Sequence, residues 1–267
     1  MHDALVRLGD PFDPRWHQRA RVGVRTGWVA LGFLLARPRL WPWAFAPLAG
    51  VVALIGGVGV ATFAVIAPTL AWWTGADSGW ERLLVVGLPL LVALIVSGLL
   101  AVALYFVLGI VAAPFFEELS DRVEREVCGA TPPLAWGPWL AAIGWSVVHS
   151  LGTLLLWIAV AAVTLSLQLL PGIGLLAAPV GFAASGAFLA RETMDGPMSR
   201  RRWGLRDKFA FVVRHPATVG VWGLTVAAWM WVPVLNLLAM PVAVVGGTLL
   251  FCRIDVDQRS AGAAAQR

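Results

Sequence analysis

The chain has 267 residues, of which 59% are hydrophobic and only 13% are charged, and its mean hydropathy is +0.80. A soluble protein carries about 25% charged residues, so this composition excludes an ordinary soluble domain and indicates an integral membrane protein. The net charge of +5 would by itself suit nucleic acid, but the basic residues flank long uncharged runs, as membrane topology signals do, so we exclude that partner.

Four runs of the chain contain no Asp, Glu, Lys or Arg, and each exceeds the roughly 20 residues that a helix needs to span a bilayer. These runs cover residues 40–76, 83–116, 127–190 and 215–252. Among the segments between and beside the runs, only loop 74–82 is poor in basic residues. The positive-inside rule therefore predicts this loop outside and both termini inside, with 19 of the 20 basic residues facing the cytoplasm.

Residues 1–43 are predicted to form a cytoplasmic or interfacial segment. Their arginines alternate with apolar side chains, which is typical of an interfacial helix drawn to anionic lipid headgroups; an anion funnel is the alternative. The residues concerned are Arg15, Arg19, Arg21 and Arg25 beside Trp16, Val22, Val24 and Trp28. The segment lacks a short apolar core with a cleavage site, so we expect the first apolar run to remain as an uncleaved anchor.

Residues 44–113 are predicted to hold two full transmembrane helices. The first covers about 44–73 and ends on two tryptophans at an interface. Its small residues favour close helix packing; they are Gly50, Gly56, Gly57 and Gly59. The second covers about 83–111, with Pro89 in its first turns, where proline is tolerated.

Residues 114–146 are predicted to be a cytoplasmic amphipathic helix, from Pro114 to Cys128, and a connector. One helix face is apolar at every fourth position, through Phe115, Leu119, Val123 and Val127. Two acidic-before-basic pairs, Glu118 with Arg122 and Asp121 with Arg125, add a few tenths of a kcal/mol each. We expect a solvated helix lying on the protein or the membrane. A proton relay through Glu117 and Glu118 is the alternative.

One ten-residue stretch occurs twice, as residues 171–180 and 233–242, with six of the ten positions identical. Both copies lie inside long uncharged runs. A proline-initiated turn in an apolar setting leaves backbone groups that protein or a cavity must shelter. The repeat therefore predicts a duplicated helical hairpin with a proline-rich tip, an arrangement that transporters use to build a site inside the bilayer.

The two hairpins are assigned to residues 147–190 and 215–252. Arms such as 175–190 and 237–252 have about 16 residues and reach about 24 Å at 1.5 Å per residue, short of an apolar core about 30 Å thick. We expect the hairpins to dip into the membrane and turn back, or to span only a thinned bilayer. Because each enters and leaves on one face, they are expected to be parallel repeats about an axis along the membrane normal.

The remaining segments carry charge. Residues 191–214 are predicted to form a cytoplasmic basic helix whose Arg200–Arg202 cluster holds lipid phosphate or fixes topology, with substrate binding as the alternative. Residues 253–267 form a cytoplasmic tail. The whole chain, 1–267, is expected to be one membrane domain. Cysteines occur only at 128 and 252, near predicted cytoplasmic helix edges, so no disulfide framework is predicted.

Several of these motifs, in order along the chain, resemble those of the CysZ sulfate-permease family, within the superfamily of etoposide-induced-protein-like membrane proteins. They are Ala112–Phe115, Gly129–Pro133, Leu170–Gly174 with Ala178-Pro179, Asp195-x-Pro197, Val232–Leu237 and Met240–Thr248. The resemblance covers about residues 30–255. It implies an all-α integral membrane protein of the bacterial inner membrane that brings sulfate into the cytoplasm for cysteine synthesis. It also implies two full spans, two membrane-dipping hairpins and a homodimer or higher homo-oligomer.

This chain differs from that family in one motif. The family carries a Gly-Ile/Leu-Arg-Arg motif just before the first span, associated with sulfate binding, and its paired arginines align with Trp41 and Pro42. Arg37 and Arg39 lie nearby, so we assign the anion contact at this end of the path to them.

An oxyanion path without buried Lys or Arg is predicted at the two tips. Sulfate is a dianion and is costly to desolvate, but helix N-termini and backbone N–H groups can hold such ions. Helices are expected to begin near Leu175 and Leu237, just after the tips. Gly172 and Gly174 allow close backbone approach, and Asn236, at the Gly174 position of the second copy, either donates from its amide or caps the following helix.

The sequence therefore predicts an oxyanion permease of the sulfate-uptake type. His149 is a candidate for proton coupling, the alternative being a neutral histidine hydrogen-bonded nearby. We expect no enzymatic activity, cofactor or metal, since no metal-spaced cluster, phosphate loop or catalytic set is present. Two other functions remain open: a scaffold or regulatory membrane protein without flux, which the missing arginine pair favours, and a lipid-handling protein.

Overall fold

A computed structural model describes residues 3–73, 79–82, 87–129, 152, 155–156, 158–168 and 174–265. These residues are almost entirely helical and include no strand. The predicted all-α class is therefore confirmed for the part of the chain that the structure describes.

The helices have the following bounds. In chain order they are α1 (Asp3–Leu8), α2 (Trp16–Leu35), α3 (Trp41–Trp73), α4 (Gly79–Arg82), α5 (Leu88–Cys128), α6 (Ile158–Gln168), α7 (Gly174–Thr193), α8 (Asp195–Arg200), α9 (Leu205–Arg214), α10 (Val221–Met230) and α11 (Pro233–Ala265). A 3-10 turn precedes α3 at Pro38–Leu40, and a π-helical turn precedes α10 at Pro216–Gly220.

Two helical segments among the described residues are long and apolar enough to cross a membrane, Pro38–Ala64 and Leu238–Gln258. A third candidate is the pair Leu205–Arg214 and Pro216–Met230, which is bent by 92°. The two long segments differ in their surroundings: 12% of the first is buried inside the protein and 78% of the second. The first can face lipid around most of its surface, whereas the second is a core helix of its unit.

The residues Trp41–Phe115 form one of two compact units. In it, α3 and the first part of α5 pair in opposite directions. Trp43 contacts Phe115, with ring centroids 6.1 Å apart, and the Thr62 hydroxyl donates to Ser97 Oγ at 2.9 Å. The antiparallel order agrees with the prediction, and α3 contains a candidate span, but the described residues of the second predicted span include only a shorter apolar segment, Leu90–Leu100.

Two details of this unit differ from the sequence predictions. The second helix does not stop before Pro114, since α5 continues through it to Cys128. Proline removes one backbone hydrogen bond, which neighbouring turns of a long apolar helix can absorb. The small residues Gly56, Gly57 and Gly59 also make no close contact, because a Cβ added at any of them would meet no described atom within 4 Å.

The other unit, Met1–Leu40 with Phe116–Arg267, is packed through different glycines. A methyl group added at Gly223 of α10 would overlap the backbone carbonyl of Gly186 in α7. Close approaches also occur where Gly23 of α2 meets Trp222 and where Gly247 of α11 meets Thr193. Glycine therefore brings α2, α7, α10 and α11 into backbone contact, as small residues do between membrane helices.

The second arm of the second hairpin is longer than predicted. Its first arm is α10, and its second arm begins at Pro233 and runs to Ala265, well past the predicted end at Cys252. The prediction placed Arg253 at the start of the tail. In the structure Arg253 pairs with Asp257 one turn later at 3.0 Å, so the helix continues through it. The 16-residue estimate for this arm is therefore wrong.

Cys128 and Cys252 are paired in the structure, with Cα atoms 6.1 Å apart and 124 residues between them in sequence. The prediction that the two cysteines form no disulfide framework is therefore wrong. Sequence separation and predicted compartment gave no sign that the end of α5 and the middle of α11 would meet.

Candidate functional site

The two repeated tips are each followed by a helix. α7 begins at Gly174 and α11 at Pro233, so proline occupies the first position of α11, where its fixed φ and missing N–H suit a helix start. Asn236 is the fourth residue of α11, and its role, as an amide donor or as a cap of this helix, stays a prediction. Gly172 and His149 lie outside the described residues.

The helices after the tips share an orientation. Gly186 of α7 approaches Leu224, while Thr193, further along α7, accepts a hydrogen bond from Trp222 Nε1 at 3.1 Å. Residue numbers thus rise along α7 as they fall along α10, so the two helices cross in opposite directions. Since α10 is also followed by the turn into α11, α7 and α11 run the same way.

The starts of these two helices are at similar heights. Gly247 of α11 packs against Thr193 of α7. At 1.5 Å per residue, the start of α7 lies about 28 Å before that contact and the start of α11 about 21 Å before it. Both N-terminal ends, with their partial positive charge, therefore point to the same end of this unit.

Arg37 and Arg39, the predicted anion contacts before the first span, have different surroundings. The Arg37 guanidinium pairs with Glu126 near the end of α5 and stacks on Phe33, 3.5 Å from the ring centroid. Arg39, in the 3-10 turn, is exposed and forms no ion pair among the described residues. Arg39 is therefore the more accessible of the two to an anion from solution.

Sequence reasoning missed a buried ion cluster, which we name the Arg200 cluster. The Arg200 side chain is fully buried; its Nε and Nη2 donate to Glu124 at 2.9 and 2.6 Å, and its Nη1 to Glu117. Arg201 donates to Glu124 at 2.6 Å and to Asp255 of α11 at 3.1 Å. The cluster ties α5, α8 and α11 together.

This cluster bears on two expectations. Arg200 and Arg201 were expected to hold lipid phosphate or fix topology; both guanidinium groups are engaged by carboxylates inside the protein, which argues against the lipid contact and leaves the topology role untested. The helix 114–128 was expected to be solvated and to lie on the protein or the membrane; Leu119 and Val123 of its apolar face are buried, and so is the charged Glu124, which was not expected. The pairs Glu118–Arg122 and Asp121–Arg125 are present as predicted. The charge pattern around Arg200 in the sequence does not show that carboxylates of α5 lie next to it, because those residues are distant in sequence.

A second group of charged side chains surrounds the half-buried Asp195 at the start of α8. Arg191 and Lys208 lie 2.9 and 2.7 Å from its Oδ1, and Ser199 donates to Oδ2 at 3.0 Å. Burial by itself would raise the pKa of Asp195, but the two cations and the hydrogen bonds hold it below its ordinary value. Asp195 therefore stays ionised and joins α7, α8 and α9.

The pKa of Glu117, the candidate for a proton relay, is shifted in the opposite direction. Burial raises its pKa above the ordinary 4.5, against the lowering effect of Arg200. A carboxyl with a raised folded-state pKa makes the free energy of unfolding fall as pH rises from 4.5 towards that pKa.

We expect Glu117→Gln to remove this fall in the free energy of unfolding, measured by thermal unfolding over a pH series. Glu118→Gln is the matched control; an unchanged slope in Glu117→Gln would contradict the assignment.

The chain was compared with known proteins. The family profile described as "Sulfate transporter CysZ/Etoposide-induced protein 2.4" matches residues 27–241. The chain belongs to this family. The matched residues of this CysZ-type chain include Arg37, both tips and Arg200, and end before Cys252 and Asp255 of α11.

Curated relatives agree with the family assignment. Proteins named "Sulfate transporter CysZ" from Pseudomonas aeruginosa (strain LESB58) and Pseudomonas fluorescens (strain Pf-5) are both 31% identical, over 57% and 54% of this chain and 63% and 59% of their own lengths. The Pectobacterium atrosepticum protein of that name is 32% identical over 53% of this chain and 52% of its own. The chain thus matches less than two thirds of these relatives.

These comparisons and the apolar helices make the chain a bacterial membrane protein. The printed names of the relatives describe transporters and not enzymes, in agreement with the prediction that the chain is not an enzyme. The family that the sequence motifs resembled is also confirmed.

Proposed function

We propose that the chain carries sulfate or a related oxyanion across the bacterial inner membrane into the cytoplasm, for sulfur assimilation. Family membership and the relatives named as sulfate transporters support the substrate class. The observation that carries a mechanism is the common direction of α7 and α11, which start at the two copies of one repeat and aim their N-terminal ends the same way.

Helix N-termini suit this substrate for an electrostatic reason. A dianion loses much hydration energy on entering an apolar region. Each helix start offers unpaired backbone N–H groups and about half a positive charge. Two such ends, with Gly172, Gly174 and Asn236 at the tips, would hold the anion without a fixed positive side chain that binds it too tightly to release.

The proposed membrane arrangement follows from charge. Both hairpins enter and leave on the cytoplasmic face and both termini lie inside, because 19 of 20 basic residues then face the cytoplasm. Arg39 receives the anion at that face, and Arg37 supports it through its pairing with Glu126. Trp16 and Trp28 of α2 are exposed beside Arg21 and Arg25, a surface suited to anionic lipid headgroups.

The deciding experiment is sulfate flux into liposomes that contain the purified protein. We expect uptake of labelled sulfate above that of empty vesicles, with competition by other tetrahedral oxyanions. Because a homodimer or higher homo-oligomer is proposed, the assembly should be sized in the same preparation.

His149→Gln tests proton coupling. A pH profile of uptake identical to that of the wild type would exclude His149 as the coupling group.

A scaffold or regulatory protein without flux is the second candidate. Trp41 and Pro42 occupy the positions of the family's paired arginines, and the Arg37 guanidinium is engaged by Glu126. Vesicles with correctly folded protein and no uptake above empty vesicles would favour this candidate.

Asn236→Leu tests the second tip. We expect uptake to fall about tenfold, because a lost hydrogen bond to a charged group is worth about 1.5–3 kcal/mol. The thermal unfolding midpoint should stay close to wild type. Gln258→Leu, an amide-to-leucine change at an exposed position of α11 far from the tips, is the matched control and should keep wild-type uptake. Equal uptake in both variants would remove Asn236 from the path.

A further inference from the structure

The two cysteines of the chain meet where α5 ends against α11. Their Cα atoms are 6.1 Å apart, inside the roughly 4.4–6.8 Å that disulfides require. Cys252 lies beyond the residues that the family profile matches. In sequence, the two cysteines are separate from the two tips that we propose to line the anion path.

The two sulfurs differ in access. Cys252 is fully buried on α11, between Phe251 and the buried Ile254. Cys128 is the last residue of α5 and is half-buried, followed by the exposed Gly129 in a left-handed conformation, φ 85°. A reagent from solution consequently reaches Cys128 first, while Cys252 can react only with a partner that is already in place.

The surroundings place the pair beside the Arg200 cluster. Glu124 lies one helical turn before Cys128, and Asp255 nearly one turn after Cys252, and both carboxylates accept hydrogen bonds from Arg201. Ser120 and Thr248 join the same two helices, with hydroxyl oxygens 2.9 Å apart. This is the face that the positive-inside rule assigns to the cytoplasm, where thiols are normally kept reduced.

We infer that Cys128 and Cys252 are a reversible redox pair that closes by exchange with a small-molecule disulfide. The Cys128 thiolate attacks one sulfur of that disulfide, forming a mixed disulfide and releasing one thiolate. Cys252 then loses its proton to water, and its sulfur attacks the Cys128 sulfur and expels the second thiolate. The chain loses two electrons and two protons, and the small disulfide is reduced to two thiols.

The closed bond has a mechanical consequence. The two cysteines are 124 positions apart in sequence, and the loop between them contains both hairpin tips and Arg200 and Arg201. Cross-linking so long a loop restricts the unfolded chain, so the oxidised protein should unfold about 5–10 °C higher than the reduced protein. The effect requires no transport activity.

Mass spectrometry of the full-length protein tests the pair directly. The purified protein is reduced, incubated with oxidised glutathione, quenched with N-ethylmaleimide and weighed intact. We expect the wild type to carry neither maleimide nor glutathione. Cys252→Ala should retain glutathione on Cys128, and Cys128→Ala should keep Cys252 available only to maleimide added after unfolding.

Three results would overturn the inference: a maleimide group on Cys128 of the wild type after incubation with oxidised glutathione, a glutathione adduct on it that is never resolved, or glutathione on Cys252 of Cys128→Ala. If Cys252→Ala does not fold, the wild type supplies the same information, since Cys128 should be alkylated before Cys252 in the reduced protein. Since the readout is mass, its failure is distinguishable from an absence of sulfate flux.

Discussion

Arg200→Met is expected to lower the free energy of unfolding by about 3–5 kcal/mol, which is the cost of removing one partner from a buried ion pair. Methionine roughly matches the length of the aliphatic stem but donates no hydrogen bond. Glu117 loses its guanidinium, Glu124 keeps only Arg201, and Ser120 loses a donor at 2.9 Å. The measurement is thermal or denaturant unfolding of the purified protein, followed by tryptophan fluorescence.

Arg202→Met is the matched control, since Arg202 is exposed and forms no ion pair among the described residues. The surface substitution should change stability by less than about 0.5 kcal/mol. Adding Glu117→Gln to Arg200→Met removes one stranded carboxylate and should recover part of the loss, a non-additivity that a double-mutant cycle detects. Equal stability of the two methionine variants would mean that Arg200 is not buried among carboxylates.

The sequence predicted those features whose cause is local. The uncharged runs 40–76 and 83–116 contain the long helices α3 and α5, and the four-residue spacing of Leu119 and Val123 identified a face that is buried. Proline at the start of the second repeat copy also corresponds to the start of α11. In each case the determining interaction lies within one or two helical turns of the residue.

Features that depend on distant partners were not predictable in this way. Arg200 belongs to a run of three arginines that suggests a solvated or lipid-facing surface, but the Glu124 carboxylate that engages it is 76 positions away in sequence. The cysteine pair is separated further still. A single sequence contains no information on which helix will lie beside such residues.

Glycine illustrates the same limit. The glycine-rich stretch around Gly56 and Gly57 attracted the packing prediction, because small residues often mark helix contacts. Among the described glycines, the tightest approach is instead between Gly186 and Gly223, which lie in different helices. Spacing identifies glycines that permit close approach, and only the fold determines which of them are used.

That approach leads to the second large effect. Gly223→Ala is expected to destabilise the protein by about 3 kcal/mol and to lower sulfate uptake in proportion to the fraction of protein that no longer folds. The added methyl group would overlap the carbonyl oxygen of Gly186 and lie 2.8 Å from Ala190 Cβ. Backbone atoms cannot rotate away as a side chain can, so the cost belongs at the upper end of the range for overpacking.

Gly220→Ala is the control that isolates this steric cost. Gly220 lies three positions earlier, at the start of the same arm, and a Cβ there would meet nothing within 4 Å. Alanine is favoured over glycine in a helix by about 1 kcal/mol, so Gly220→Ala should match or exceed wild-type stability. The difference between the two variants, measured by thermal unfolding, then reports the clash alone.

Uptake by the two variants connects this packing to the proposed path. The Gly186–Gly223 crossing fixes the first hairpin against the second, and the relative height of the α7 and α11 starts depends on it. An α7–α10 separation large enough to accept a methyl group would shift the two helix starts relative to each other. If Gly223→Ala kept wild-type stability and uptake, α7 and α10 would not be in backbone contact, and the common direction of the two helix starts would lose its structural basis.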